Sequence, residues 1–233
     1  MTALLLNNHL LASLPEVTQE QLFSHIEWVE LSQGETLYGS GKMISHVYFP
    51  IDSIVSLLHV IGHGESTEVS VVGNEGLVGV PLFMGVDSTI CRAVVRSAGH
   101  AYRLPGSLLK TEFNRNSELQ TLILRYTQLL ITQISQTSVC NRYHSLSQQL
   151  CRFLLSSLDR VPGNKLTMTH KLIADMLGVR REGVTEAANY LRKLGVIEYS
   201  RGNITVFDRN KLEQMSCECY AIVRKETDRL LSW

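Results

Sequence analysis

Between residues 166 and 194 the sequence leaves room for little besides two short helices joined by a tight turn. Ile173, Leu177, Val179, Val184, Ala187, Ala188 and Leu191 recur at three- and four-residue steps, so both helices turn an apolar stripe toward one interior. Helices that cross steeply need a small residue at the crossing and a residue tolerant of positive φ in the turn. Ala174 and Gly178 stand at those places, and Val184 completes the expected packing set of a helix-turn-helix. The outer stripe of the second helix carries Arg181, Glu182, Thr185, Glu186, Asn189 and Arg192. An arginine can form a bidentate pair with guanine O6 and N7, and a carboxylate can accept from cytosine N4, each worth about 1–3 kcal/mol of discrimination. Arg181 and Glu182 are therefore the first candidates for base readout, with Thr185 and Glu186 on the same face. An ordinary amphipathic helix pair also has a solvated charged face, but it does not require a hairpin at its C-terminal end.

Residues 195–207 form two β-branched and aromatic runs separated by Ser200-Arg201-Gly202-Asn203, which is hairpin chemistry. A hairpin directly after a reading helix is a wing. Arg201 at its tip would meet a backbone phosphate, a contact that positions without reading sequence. Lys171, Arg180, Arg192 and Lys193 are further phosphate candidates. The chain is neutral overall, yet residues 1–144 hold 8 basic against 12 acidic side chains while residues 145–233 hold 14 against 10. Such asymmetry points to one nucleic-acid-facing half and one half with another task. A local basic excess around the motif would add salt-dependent attraction to DNA.

The N-terminal half changes period. Strand-like runs fall at residues 27–31, 46–49, 54–60, 68–72, 91–97 and 100–104, punctuated by glycines, which argues for an antiparallel barrel or roll. Ser13-Leu14-Pro15 opens a short helix toward His25, with proline at an early helical position. Pro105-Gly106 ends the roll, and Asn116-Ser117 caps a long helix starting at Glu118. Along it, Leu119, Leu122, Tyr126 and Leu129 take alternating three- and four-residue steps, the form of a dimer seam, with Ile123, Leu130 and Ile134 broadening the stripe. Packing of that helix against its own roll is the alternative origin of the stripe.

At 233 residues and 44% hydrophobic content the chain suits two modest domains. The opening run is broken by Asn7, Asn8 and His9 and lacks a basic lead, so no signal peptide is expected, and no stretch reaches the length of a membrane span. Five scattered cysteines fit reduced thiols in a cytoplasmic protein.

The order roll, long helix, winged helix, together with Val47-Tyr-Phe-Pro-Ile-Asp-Ser-Ile-Val-Ser56, Asn74-Glu-Gly-Leu-Val-Gly-Val-Pro-Leu-Phe83 and Arg180-Arg-Glu-Gly-Val-Thr185, resembles the Crp/Fnr family of bacterial transcription regulators over nearly the whole chain. The resemblance implies an α+β chain: an antiparallel β-roll of the cyclic-nucleotide-binding type (a double-stranded β-helix) over 1–115, a dimerisation helix over 116–144, and a winged helix-turn-helix over 145–233. It implies a homodimer on a double-stranded DNA operator, contact with RNA polymerase, and a small-molecule effector in the roll. Arg181 and Glu182 match the family's base-reading pair, whereas Glu186 replaces a second base-reading arginine of the cyclic-AMP receptor.

In the roll, Gly79, Pro81, Leu82, Phe83 and Arg92 mark the place of the family's effector pocket. Cyclic-nucleotide members carry a glutamate for the ribose there, and this chain has Val78-Gly-Val-Pro-Leu-Phe83 with no carboxylate. A ribose without its acceptor would lose a buried hydrogen bond, which disfavours a cyclic nucleotide. Cys91, Cys140, Cys151, Cys217 and Cys219 are not grouped as an iron–sulfur sensor requires. Cys217 and Cys219, read as two positions of one helix, would point to different faces, so no metal site is expected there. His59 and His63 flank a turn without a third ligand, and nothing among the eight histidines supports haem.

Two other classes stay open. An enzyme would need a constellation such as Gly-x-Ser-x-Gly, a Walker loop or His-Glu-x-x-His, and none occurs, so no enzymatic activity is expected. A roll acting on a protein partner, with the winged helix used for protein contacts, would lack sequence-selective retention of duplex DNA.

Overall fold

The computed structural model describes residues 7–61 and 66–231, so the first six residues of the opening run and His63 lie outside it. The strand runs form as their alternation requires. β1 (Glu27–Leu31), β2 (Thr36–Tyr38), β3 (His46–Pro50), β4 (Ile54–Val60), β5 (Ser66–Val72), β6 (Cys91–Ser97) and β7 (Gly99–Pro105) build two antiparallel sheets, ordered β1-β7-β3 and β2-β6-β4-β5. On β3, Val47 and Phe49 are fully buried while His46 and Tyr48 are half-buried, the period-2 signature of a sheet with one face inward. Together the sheets form a β-roll around one apolar core. β2, too short to show alternation, escapes the sequence reading.

The roll is closed at one end by α1 (His9–Ala12) and α2 (Glu16–Phe23), and Pro15 stands at the N-cap of α2 rather than inside it. Asn8, which breaks the apolar run in the sequence, is fully buried. Its amide donates to the carbonyls of Pro50 and Gly76 at 2.9 Å each, and its oxygen accepts from the N–H of Leu11 at 3.1 Å. After β7 the chain passes through α3 (Gly106–Arg115), also absent from the sequence reading, into α4 (Ser117–Tyr143). Asn116 caps α4 by accepting from the N–H groups of Glu118 and Leu119, both at 3.0 Å.

The stripe of α4 corrects the sequence expectation. Leu119, Leu122, Tyr126 and Leu129 are all buried in the core of their own roll, as are Ile123 and Leu130, so they offer no surface to a second chain. Tyr126 lies directly against Gly76, where even a Cβ would overlap its ring. The face of α4 left open carries Leu124, Ile131, Ile134 and Val139, which are 54%, 48%, 44% and 42% exposed.

The rest of the chain is α5 (Leu146–Leu158), β8 (Lys165–Thr167), α6 (His170–Leu177), α7 (Arg181–Lys193), β9 (Ile197–Ser200), β10 (Asn203–Val206), α8 (Arg209–Met215) and α9 (Glu218–Leu231). It surrounds a second apolar core, to which the roll contributes Leu58 of β4. In return α9 packs along α4 and sends Leu230 into the core of the roll.

Two buried ion pairs fix α5 on the roll. Arg96 of β6, 2% exposed, reaches Glu68 of β5 at 2.9 and 3.1 Å, donates to Ser157 Oγ of α5 at 3.0 Å, and lies 4.7 Å above the Phe153 ring. Ser56 also hydrogen-bonds Glu68. Arg160, just past α5, holds Glu75 at 2.6 and 2.9 Å, and Gly73 leaves room for its stem. Removing one member of a buried pair strands a charge, at about 3–5 kcal/mol. Glu68→Gln is accordingly expected to lower the unfolding free energy in urea by about that amount, while Glu68→Leu with Arg96→Met restores most of it. A single variant as stable as the parent would show that the pair carries no such load.

Candidate nucleic-acid interface

Thr169 starts α6 by accepting from the N–H of Leu172 at 3.1 Å, and Gly178 ends it at φ 65°, where the N–H of Val179 returns to the Ala174 carbonyl at 3.0 Å. Ala174 and Val184 are buried between α6 and α7 as the spacing predicts. A second close approach has no mark in the sequence pattern: a Cβ at Gly183 would stand 2.7 Å from Leu146 Cδ2, where α7 closes on α5. β9 and β10 pair through a two-residue turn in which Arg201 has φ 48° and Gly202 φ 82°, the left-handed pair that matches strand twist. β8 adds a third strand to the wing, in the order β8-β10-β9.

Of the base-readout candidates, Arg181, Glu182 and Glu186 are exposed on α7, together with Asn189. Thr185 is different. Its hydroxyl donates to the Arg181 carbonyl at 3.1 Å and lies 3.0 Å from Nδ1 of His170, so its donor is engaged within the chain. His170, which the sequence reading passed over, is 9% exposed and stacks on Tyr199 of β9 with ring centroids 4.0 Å apart. Burial, reinforced by the Arg181 guanidinium, lowers its pKa below the usual imidazole value. A lone histidine in the first turn of a helix carries no sequence mark of such a role.

The phosphate candidates are all at the surface. Arg180 is the N-cap of α7 and leaves the helix without a side-chain cap, and Arg192 and Lys193 occupy its last turn. Arg201 is exposed at the wing tip. Lys171 pairs with Asp175 at 2.6 Å, but an exposed pair four residues apart contributes only about 0.3–0.5 kcal/mol, too little to withhold it from a phosphate.

Four of the five expected effector residues fall at one turn. Gly79 precedes the turn Val80–Met84, in which Leu82 is buried against Gly106 and Phe83 is tilted against Phe113 at 5.1 Å. Pro81 is half-buried in that turn, and Arg92 stands on β6 opposite Leu58 of β4. A cavity of about 240 Å³ lies where the roll meets α4, α5, α6 and α9, with Glu68, Gln133, Arg152, Arg160 and Tyr220 in its wall.

The cysteine expectation needs correction. Cys217 precedes α9 rather than lying on it, so the argument from opposite helix faces does not apply. The ligand atoms of Cys140, His144, Cys217 and Cys219 all lie within 4.8 Å of one another.

Known proteins agree with this geometry. Residues 148–215 match the family described as the Crp-like helix-turn-helix domain. A global nitrogen regulator from Synechococcus elongatus is 26% identical over 217 residues, covering 89% of this chain and 96% of that protein. Among solved structures, FixK2 from Bradyrhizobium japonicum has a TM-score of 0.71 at 16% identity, over 82% of this chain and 98% of its own. A CRP-family transcriptional regulator from Thermus thermophilus has a TM-score of 0.66 at 18% identity, over 81% and 96% respectively. With a Crp-like helix-turn-helix domain at residues 148–215 and a relative alike along nearly its whole length, the chain is similar to DNA-binding transcription regulators of the Crp/Fnr type.

Proposed function

We propose that the chain acts as a cytoplasmic homodimer that reads a two-fold operator with α7, positions itself through the wing, and answers a small-molecule signal received by the roll. The observation that carries the reading is the outer face of α7. Arg181 and Glu182 project from its first turn, Glu186 comes one turn on, and Arg201 is exposed at the adjacent wing tip. Arg181 and Glu182 have the chemistry to read base edges, while Arg180, Lys171, Arg192 and Arg201 hold phosphates. The uncapped N-terminus of α7 offers free N–H groups to a further phosphate. Thr185 supports readout by fixing the first turn rather than by reaching a base. With Glu186 where a base-reading arginine would stand, the half-site differs from one that requires that arginine. RNA polymerase is the partner such a regulator addresses once seated on DNA.

Dimerisation is assigned to the open face of α4. Leu124, Ile131 and Ile134 fall on core positions of one heptad frame, so two copies laid side by side would bury them. Half-sites about 34 Å apart, one turn of duplex, would then meet the two α7 helices. A signal at the roll would act by population shift, through preferential binding to the DNA-competent arrangement.

Two measurements test this reading. Ile131→Glu should give folded monomers by light scattering, with a urea midpoint that no longer rises with protein concentration. A retained dimer would remove α4 from the interface. In a gel shift, Arg181→Ala should cost about 1–3 kcal/mol and relax preference at one operator position, whereas Arg201→Ala should weaken specific and scrambled duplexes alike. Equal losses on both duplexes for Arg181→Ala would refute its part in base reading.

A further inference from the structure

Three of the five cysteines are gathered at one point, and the chain must bend sharply to bring them there. Cys140 and His144 lie four residues apart at the end of α4 and so share a face. Cys217 and Cys219 arrive from the far end of the sequence, on the link between α8 and α9 and in the first turn of α9. All three thiols are buried, at 0%, 3% and 0% exposure, and they form a cluster separate from both apolar cores. Burial of three thiols and an imidazole without apolar neighbours between them does little for a hydrophobic core. It suits a shared positive ion.

We propose that Cys140, His144, Cys217 and Cys219 bind a single zinc-class divalent cation in a closed tetrahedral site. Zinc holds thiolate sulfur at about 2.3 Å and imidazole nitrogen at about 2.0–2.1 Å, so a tetrahedron built on it has sulfur–sulfur edges of about 3.8 Å and sulfur–nitrogen edges of about 3.5 Å. Cys140 Sγ and Cys217 Sγ are 3.5 Å apart, and Cys219 Sγ is 3.6 Å from His144 Nδ1. With all four ligand atoms inside 4.8 Å, the space takes one ion and not a two-iron cluster, whose cysteines are divided between separate metals. The outer contact also fits. Nδ1 of His144 faces the sulfurs while Nε2 lies 3.3 Å from the Glu218 carboxylate, the carboxylate–histidine–metal arrangement that fixes tautomer and ring orientation. Three cysteines and one histidine, with no position left for water, make a structural site rather than a catalytic one.

Its place gives it a consequence. His144 is the C-cap of α4, and Ser145 is the N-cap of α5, so the site sits on the hinge between the long helix and the reading unit. The ion would tie that hinge to α9, which itself packs back on α4. Binding requires the thiols to lose their protons, so metal affinity falls with acid and with thiol oxidation.

The full-length protein, purified under reducing conditions, is expected to carry about one zinc per chain by elemental mass spectrometry. After chelation and refilling with Co²⁺, it should show the intense visible bands of tetrahedral cobalt and a thiolate charge-transfer band in the near ultraviolet. Cys217→Ser and Cys219→Ser should each lower metal content at least tenfold, whereas Cys91→Ser should retain the full equivalent. The cobalt spectrum needs no variant, so a misfolded mutant leaves the test intact. Absence of metal after incubation with Zn²⁺ and reductant would overturn the site, as would octahedral cobalt bands. So would full metal content in folded Cys219→Ser, or a Cys140–Cys217 disulfide in most chains trapped by thiol blocking in the cell.

Discussion

Two arginines sealed between the roll and α5 set the placement of the whole C-terminal unit. Arg96 and Arg160 both give up water, and each is repaid only where a carboxylate and a further oxygen meet it at hydrogen-bond distance. An apolar contact between the same surfaces would tolerate sliding, because dispersion and burial change slowly with position. A forked guanidinium does not, since a shift of about an ångström leaves a buried donor unpaired. Both carboxylates belong to one stretch of chain, Glu68 on β5 and Glu75 just beyond it, and α6 also packs on β5. The edge of the roll is thus the fulcrum on which the reading unit rests.

None of this was legible in the sequence, and the reason is physical. Arg96 occupies an alternating strand where a charged residue ordinarily faces water, and its partners stand 28 residues earlier and 61 later. Local period says which residues share a face but not what covers that face. Where one face meets solvent and the other a core, as on β3, local reading suffices, and the six longer strands fall where alternation places them. The same holds for the turn at Gly178 and the wing, whose backbone demands are met by the residues present. Cys140 and His144 carry a readable helical spacing, but their counterpart is more than 70 residues away, and only the fold joins them.

α4 shows the limit most clearly, because it has two apolar faces. One, through Leu122, Tyr126 and Leu129, is spent on the roll, and the other, through Leu124, Ile131 and Ile134, is open. A heptad pattern fits either, since steps of three and four describe any stripe on a helix. Side-chain size offers a better guide in retrospect. The inner face includes Tyr126, whose ring requires Gly76 of the roll directly opposite, a pairing that a symmetric helix–helix seam would not demand. The helix consequently stands with its roll on one side and a free apolar surface on the other.

The reading head is also less divisible than its motif suggests. His170 of α6 touches Thr185 of α7 with one ring nitrogen and stacks on Tyr199 of the wing, so three elements share one buried imidazole. Thr185 in turn bonds the Arg181 carbonyl, within the turn that presents Arg181 and Glu182. On the opposite side, the Thr67 hydroxyl of β5 donates to the Met176 carbonyl at 3.3 Å, and Gly178 admits that strand at a distance where a Cβ would crowd it. A displacement of β5 therefore reaches α6 near its turn and passes through His170 to α7 and the wing together. Helix α7 and the wing would move as one body, so a shift of the roll would change the orientation of the winged helix rather than its internal shape.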